Sequence, residues 1–280
     1  MSVEVSTATS ALSCEFPVLR RRIDGHPITY LDSAATSQTP QPVIDAMTRY
    51  YTESRASIHR GVYPLAIEST DLYEGARARI ATWLGSTVEE TIFAANATAA
   101  INLVAYTWGR QNVHRGDLVV LTEMEHHSNI VPWQLLCQDR EAELAYVPVL
   151  EDGQLDLDAL DGLLAREPKL VSFVHVSNVL GTINPVAEIA RRAHRAGATV
   201  LVDGTQAVPQ MPVDLREIDA DFYVWTGRRR FRSCRSTCAS SMSTSTPGPG
   251  TRLTAPPGSA CCTAAASCSR RCRRSSAEAT

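Results

Sequence analysis

Short apolar segments alternate with amphipathic segments along residues 91–227. Six apolar segments have strand length and are nearly continuously hydrophobic, as expected of strands covered on both faces: Thr91–Ala94, Leu118–Leu121, Leu144–Pro148, Leu170–His175, Thr199–Val202 and Phe222–Trp225. Four segments with helical spacing lie between them: Thr98–Trp108, Ile130–Arg140, Asp156–Ala165 and Pro185–Ala196. Repeated strand–helix–strand units predict an α/β fold, with a mostly parallel sheet and helices on both faces.

The first 90 residues have a different pattern. Helical spacing at Gln41–Thr52 and at Ala66–Leu84 predicts a mainly helical N-terminal segment, with Gly85 ending the second helix. We therefore expect three regions. Residues 1–90 pack on the α/β region, residues 91–227 form the α/β core, and residues 228–280 form a tail.

The tail differs from the rest of the chain in composition. Residues 1–227 hold 17 basic and 29 acidic residues, whereas residues 228–280 hold 10 arginines, one acid and six of the eight cysteines. The tail has too few apolar residues to offset the entropy of ordering, so we expect it to be disordered. Its cysteines include no CxxC pair and it has no histidine, so no metal site is expected. The only lysine in the whole chain is Lys169.

Charge and hydropathy exclude several classes of protein. The net charge of −3 gives no reason to expect binding to nucleic acid or to a membrane. The sequence contains no run of 18 apolar residues, so we expect no transmembrane helix. Met1 to Glu15 do not have the pattern of a secretory signal. We expect a cytoplasmic protein.

Polar residues follow the predicted strands at their carboxyl ends, which is where open α/β sheets bind ligands. Asn96 and Thr98 lie where a helix begins; such an N-terminus binds phosphate, although either residue could simply cap the helix. His126 could stack on a planar cofactor or move protons, or it could be an exposed loop histidine.

Two further residues of this kind lie later in the chain. Asn178 could bond a ligand hydroxyl or stabilise a turn. Asp203 terminates an apolar strand, where its carboxylate could pair with a protonated ring nitrogen or cap a helix.

Taken together, these motifs resemble the cysteine desulfurases of the class V aminotransferase group, and most closely the branch that serves the Suf iron–sulfur assembly system. The resemblance runs from about Phe16 to Gly227. The segments that carry it are Tyr30–Ala35, Ile58–Gly61, Asn96–Thr98, Ile101–Leu103, Trp108–Gly109, Glu125–Trp133, His175–Thr182, Leu201–Ala207 and Asp221–Tyr223.

The resemblance implies the large domain of a fold type I transferase that depends on pyridoxal 5′-phosphate. In such a site Ala97, Thr98 and Thr226 would contact the phosphate. His126 would stack on the pyridine ring and assist proton transfer.

The same resemblance assigns the remaining positions. Asp203 would pair with the ring nitrogen, and Asn178 and Gln206 would contact the ring oxygen and the reacting centre. The implied reaction converts L-cysteine to L-alanine and an enzyme persulfide, whose sulfur passes to an acceptor protein of iron–sulfur assembly. The family resemblance also implies a homodimer.

The sequence departs from the family after Gly227. Arg229 occupies the position of the lysine that forms the Schiff base, and a guanidinium is not a practical nucleophile for that bond. Nothing after Gly227 matches the small C-terminal domain or the catalytic cysteine loop. We therefore expect residues 228–280 to be a frameshifted or truncated end, and this chain to be inactive as a desulfurase. A second departure is Ala99, which stands at a position where the family usually has an acidic residue.

Two alternatives remain from the sequence. One is a selenocysteine lyase or another class V relative. The other is a non-catalytic protein that binds pyridoxal phosphate or dimerises.

Overall fold

The computed structural model describes residues 13–227. A 3₁₀ turn at Pro17–Arg20 is followed by a short antiparallel hairpin that pairs β1 (Arg22–Ile23) with β2 (His26–Pro27). Helix α1 (Gln41–Arg49) continues into a π-type turn, and helix α2 runs over Pro64–Leu84. Gly85 follows α2 with a φ of +75°, a left-handed conformation that ends helices, as predicted. The described residues form two compact units, 13–79 and 80–227.

The second unit contains a five-stranded parallel sheet. Its strands are β3 (Leu118–Thr122), β4 (Glu143–Val147), β5 (Leu170–Val174), β6 (Thr199–Asp203) and β7 (Phe222–Val224). They lie in the order β4-β3-β5-β6-β7, and every neighbouring pair is parallel. The predicted α/β class is therefore confirmed, and five of the six predicted strands are present.

Helices bury both faces of this sheet. The helices of this unit are α3 (Ala97–Val104), α4 (Arg110–Asn112), α5 (Val131–Arg140), α6 (Leu157–Leu164), α7 (Val186–Arg195) and α8 (Leu215–Ile218). Side chains of α6 and α7 share one core with Phe173, Val202 and Tyr223. Side chains of α3 and α5 share the other core with Leu201 and Val224. Since successive strand residues point to opposite faces, Asp203 projects on the α3 and α5 side, together with Leu201.

One predicted strand is wrong. Thr91–Ala94 form no strand within residues 13–227, and among these four residues Ala94 makes a single isolated bridge. The reason is local bonding: the Thr91 hydroxyl donates to the Thr87 carbonyl at 2.8 Å and the Thr91 N–H donates to the Val88 carbonyl at 3.2 Å. Side-chain bonds of this kind compete with a β ladder.

Helix boundaries also differ from the predictions. Helix α3 begins at Ala97 rather than Thr98, because Asn96 caps it, and after Val104 it passes into a π-type turn, Ala105–Gly109. No helix within the described residues is both long enough and apolar enough to cross a membrane. The tail at 228–280, with Arg229 and six cysteines, lies outside the described residues, as do residues 1–12.

Candidate functional site

The seven residues predicted for the site all lie in the unit formed by residues 80–227, at or just beyond the carboxyl ends of strands or at the start of α3. Because β3, β5, β6 and β7 are parallel, the segments that follow them meet at one edge of the sheet. Helix α3 contacts both β7 and the turn His127–Asn129 that follows β3. The residues brought to this edge are Ala97, Thr98, His126, Asn178, Asp203, Gln206 and Thr226.

Asp203 is the buried acid of this edge. Its side chain is 3% exposed, and one carboxylate oxygen accepts the Thr205 N–H at 2.9 Å. Burial raises the pKa of Asp203, while hydrogen bonding from Thr205 and the nearby His126 act in the opposite direction. A cationic N–H donor at this position would compensate the desolvated carboxylate, which is what a protonated pyridine nitrogen offers.

His126 lies exposed on the loop after β3. Its Nδ1 accepts the Ser128 N–H at 3.2 Å and lies 2.8 Å from the Ser128 hydroxyl. Because Nδ1 accepts the backbone N–H, the neutral imidazole carries its proton on Nε2. The loop therefore determines the tautomer of His126 as well as its place beside Asp203.

The N-terminus of α3 presents backbone donors at the same edge. The Asn96 side-chain oxygen accepts the Ala99 N–H at 2.7 Å, and the Asn96 carbonyl accepts the Ala100 N–H at 3.0 Å. The first N–H groups of a helix have no partner within it, so those of Ala97 and Thr98 remain for an anion. Capping by Asn96 and phosphate binding by the next two residues are therefore compatible.

The other three predicted residues reach the edge through strand topology. Asn178 is exposed in a turn that the Ser177 hydroxyl stabilises by accepting the N–H groups of Val179 and Leu180. Gln206 is half-buried, and its side-chain oxygen accepts from the Gln210 amide at 3.1 Å. Thr226 is half-buried just after β7.

The sequence reasoning missed a buried carboxylate directly before His126. Glu125 is 8% exposed, and it accepts the Thr122 hydroxyl at 2.5 Å, the Val174 N–H at 2.8 Å and the Asn129 amide at 2.7 Å. Burial raises the pKa of Glu125 to about 8, although hydrogen bonds from Thr122 and Asn129 lower it. The available signal was an acid and an amide four residues apart on either side of a histidine loop, but burial is not readable from that spacing.

A second missed feature is a hydrogen bond that crosses β6 on the other face of the sheet. His175 Nδ1 lies 2.8 Å from the Tyr223 hydroxyl, and both side chains are buried. A β-carbon on Gly204 would lie 2.1 Å from that hydroxyl oxygen. Burial lowers the pKa of His175 to about 4 and raises that of Tyr223, so both side chains are neutral near pH 7.

Lys169 lies at the opposite edge of the sheet. It directly precedes β5, and its side chain is exposed. Its backbone N–H donates at 2.8 Å to the carbonyl of Leu118, the first residue of β3. The amino end and the carboxyl end of β5 are separated by the length of the strand. The single amine that the sequence provides is therefore not at the edge that holds Asp203.

Comparison with known proteins gives a consistent result. The aminotransferase class-V family matches residues 29–231. The cysteine desulfurase of Enterobacter sp. (strain 638) is 46% identical over 228 residues, which cover 81% of this chain and 56% of that protein. The probable cysteine desulfurase of Halalkalibacterium halodurans is 48% identical over 215 residues, covering 76% of this chain and 53% of that protein.

Solved structures show the same relationship. The apo structure of a cysteine desulfurase from Thermococcus onnurineus NA1 matches 72% of this chain and 50% of its own length, with a TM-score of 0.69 and 38% sequence identity. The chain spans about half the length of the curated relatives it matches. The family indicated by the sequence motifs is confirmed: the chain belongs to the aminotransferase class-V family.

Proposed function

We propose that this chain derives from a cysteine desulfurase of the Suf type and that it binds pyridoxal 5′-phosphate without a covalent bond to the protein. The observation that carries the proposal is the buried Asp203 at the carboxyl edge, beside His126 and the open N-terminus of α3. Relatives named cysteine desulfurases, 46% and 48% identical, support L-cysteine as the substrate of the ancestral reaction.

The residues at this edge fit the coenzyme in charge and in hydrogen-bonding capacity. The N–H groups of Ala97 and Thr98 would bind the phosphate, with Thr226 as a further contact. Asp203 would accept the ring N–H, and His126 would stack on the ring. The bound coenzyme supplies an electron-accepting ring to an amino acid substrate. Asn178 and Gln206 would orient the ring oxygen and the reacting centre.

Two positions argue that the chain as written does not complete the desulfurase reaction. Lys169 lies at the other edge of the sheet, and Arg229 stands in the sequence where the family has its lysine. Sulfur transfer also needs an accessible thiolate. Cys137 is buried, and burial raises the pKa of its thiol to about 11, so Cys137 does not supply it; Cys14 is exposed but belongs to the other compact unit, residues 13–79.

The proposal includes three properties that the resemblance implies for the active family. These are a cytoplasmic location, a homodimer, and transfer of the persulfide sulfur to an acceptor protein of iron–sulfur cluster assembly. All three belong to the ancestral function that we assign to the chain.

Binding of two coenzyme forms tests the proposal directly. Pyridoxal 5′-phosphate has an aldehyde that can react with lysine, whereas pyridoxamine 5′-phosphate does not. Equilibrium dialysis of the full chain should give similar dissociation constants for the two compounds. Asp203→Asn should weaken both by about 10- to 100-fold, because a charge-assisted hydrogen bond contributes about 1.5–3 kcal/mol.

Lys169→Arg is the matched control and should leave both dissociation constants unchanged. Borohydride reduction followed by peptide mass spectrometry should find no coenzyme attached to Lys169, and L-cysteine should yield no L-alanine. Attachment to Lys169, or formation of L-alanine that Lys169→Arg abolishes, would contradict non-covalent binding. Failure of the wild-type chain to bind either compound would contradict the coenzyme assignment itself.

A further inference from the structure

The loop that carries His126 is bounded on both sides by buried polar side chains. Glu125 precedes His126 and Asn129 follows Ser128, and the two are joined by the 2.7 Å bond from the Asn129 amide to the Glu125 carboxylate. Glu125 also accepts the Val174 N–H at 2.8 Å, which fixes the start of the loop to the end of β5.

Asn129 fixes the other end of the loop. It is fully buried, and its side-chain oxygen accepts both the Trp133 indole N–H at 2.9 Å and the Ser172 hydroxyl at 2.8 Å. Ser172 belongs to β5 and Trp133 to α5. Both ends of the three-residue loop are thus bonded to β5.

We propose that Glu125 and Asn129 are positioning residues that hold His126 at the carboxyl edge of the sheet. They act through Ser128, whose backbone N–H donates to His126 Nδ1 and so sets the tautomer. The contact between His126 and the coenzyme rests on the proposed function above, whereas the restraint on the loop is independent of it.

The polarity of the bond between the two side chains gives a specific test. With Glu125 ionised, every donor in this network faces an acceptor: the carboxylate of Glu125 accepts three donors, and the Asn129 oxygen accepts two. Glu125→Gln must set its new amide against the N–H of Asn129 or of Val174, two donors facing each other. Asn129→Asp places a second carboxylate group against Glu125.

The double variant reverses the bond and restores it. With Glu125→Gln and Asn129→Asp together, the new side-chain amide at position 125 would donate to the new carboxylate at position 129, and all other donors would keep an acceptor. Volume and net charge are those of the wild-type pair. A role that depends on this bond therefore predicts rescue, whereas independent damage at two buried positions predicts that the losses accumulate.

The experiment follows His126 in the full chain without coenzyme, at a pH above about 8, where Glu125 is ionised. Imidazole NMR signals, assigned with a His126→Asn variant, report its surroundings, and hydrogen exchange of the Ser128 amide reports the loop. Each single variant should shift the His126 signals and speed Ser128 exchange about tenfold or more, and the double variant should return within about threefold of wild type. Glu143→Gln, an exposed acid on β4, is the matched control and should change neither.

Binding of pyridoxamine 5′-phosphate should change in parallel with the His126 signals. The dissociation constant should rise about tenfold in each single variant and stay close to the wild-type value in the double variant. Folded single variants with unchanged His126 signals, or a double variant showing both losses combined, would overturn the proposal. If the single variants do not fold, the double variant must still fold with native His126 signals, and its failure to do so also overturns it. A wild-type chain that binds no pyridoxamine phosphate refutes the proposed function, while the His126 signals still decide the positioning role.

Discussion

Two aspartates, one at each edge of the sheet, are equally buried and have very different partners. Asp221 directly precedes β7 at the amino edge and is 4% exposed; its carboxylate accepts the Val200 N–H at 2.8 Å and the His194 imidazole at 2.9 Å. Asp203 ends β6 at the carboxyl edge and is 3% exposed; the Thr205 N–H is the backbone donor to it.

The difference shows that burial alone does not identify a functional acid. At the amino edge, a neighbouring strand and helix α7 supply the donors, so Asp221 connects parts of the fold. At the carboxyl edge, desolvation raises the pKa of Asp203, which means that the protein alone does not fully stabilise its charge. A cationic ligand group would supply what the fold does not.

The largest expected effect comes from removing the acid of the amino edge. Asp221→Ala leaves the Val200 N–H and the His194 imidazole without this acceptor, so we expect a loss of about 3 kcal/mol in the free energy of unfolding. Asp203→Asn keeps an acceptor for Thr205 and should change that free energy by less than about 1 kcal/mol. Urea denaturation of both variants measures these free energies of unfolding. A larger loss for Asp203→Asn than for Asp221→Ala would contradict the structural role that we assign to Asp221.

The next effect concerns the backbone immediately after Asp203. Gly204→Ala would place a β-carbon 2.1 Å from the Tyr223 hydroxyl oxygen, and the buried Tyr223 cannot move aside without losing His175. We expect the free energy of unfolding to fall by about 2–3 kcal/mol. Gly162→Ala is the control: nothing lies within 4 Å of its new β-carbon in α6, and it should gain about 0.5–1 kcal/mol. Equal effects at the two glycines in thermal denaturation would rule out the steric argument.

The alternation of apolar and amphipathic segments predicted the sheet well, because strands buried on both faces leave nearly unbroken hydrophobic runs in the sequence. The failed strand prediction at Thr91–Ala94 has a local cause. The bonds of Thr91 back to Thr87 and Val88 depend on local geometry that a hydrophobic pattern does not contain.

The candidate site was predictable only in part. Asp203 and His126 could be placed because strand ends meet at one edge, and the family motifs carried the rest. The bonds of Glu125 to Val174 and of His175 to Tyr223 join residues 48 or 49 positions apart. Such bonds depend on strand order and register, which the sequence pattern alone does not determine.

The pH dependence of stability distinguishes Glu125 from the other buried groups. Burial raises its pKa from an ordinary 4.5 to about 8 in the folded chain, so across that range the folded state holds a proton that the unfolded state has lost. Stability then falls as pH rises, by at most about 1.4 kcal/mol per pH unit, and the loss is complete above the folded pKa. The lowered pKa of His175, about 4 against an ordinary 6.5, makes stability rise with pH, but only up to about 6.5.

The interval from about pH 6.5 to 8 is therefore the informative one. We expect the free energy of unfolding of the wild-type chain to fall by about 2 kcal/mol across it, and by clearly less in Glu125→Gln. Identical slopes in urea titrations of the two chains would show that Glu125 is already ionised at neutral pH.

The smallest expected change in stability comes from exchanging the capping residues of two helices, α6 and α3. Asp156 caps α6 by accepting the N–H groups of Asp158 and Ala159, and its negative charge discourages an anion there. Asn96 caps α3 without a charge, which leaves that N-terminus able to bind phosphate. Asn96→Asp should raise the free energy of unfolding by about 0.3–1 kcal/mol through the helix dipole, yet weaken binding of pyridoxamine 5′-phosphate by charge repulsion. Asp156→Asn should lower stability by a similar amount without changing affinity. If Asn96→Asp leaves the dissociation constant unchanged, the phosphate does not bind at the start of α3.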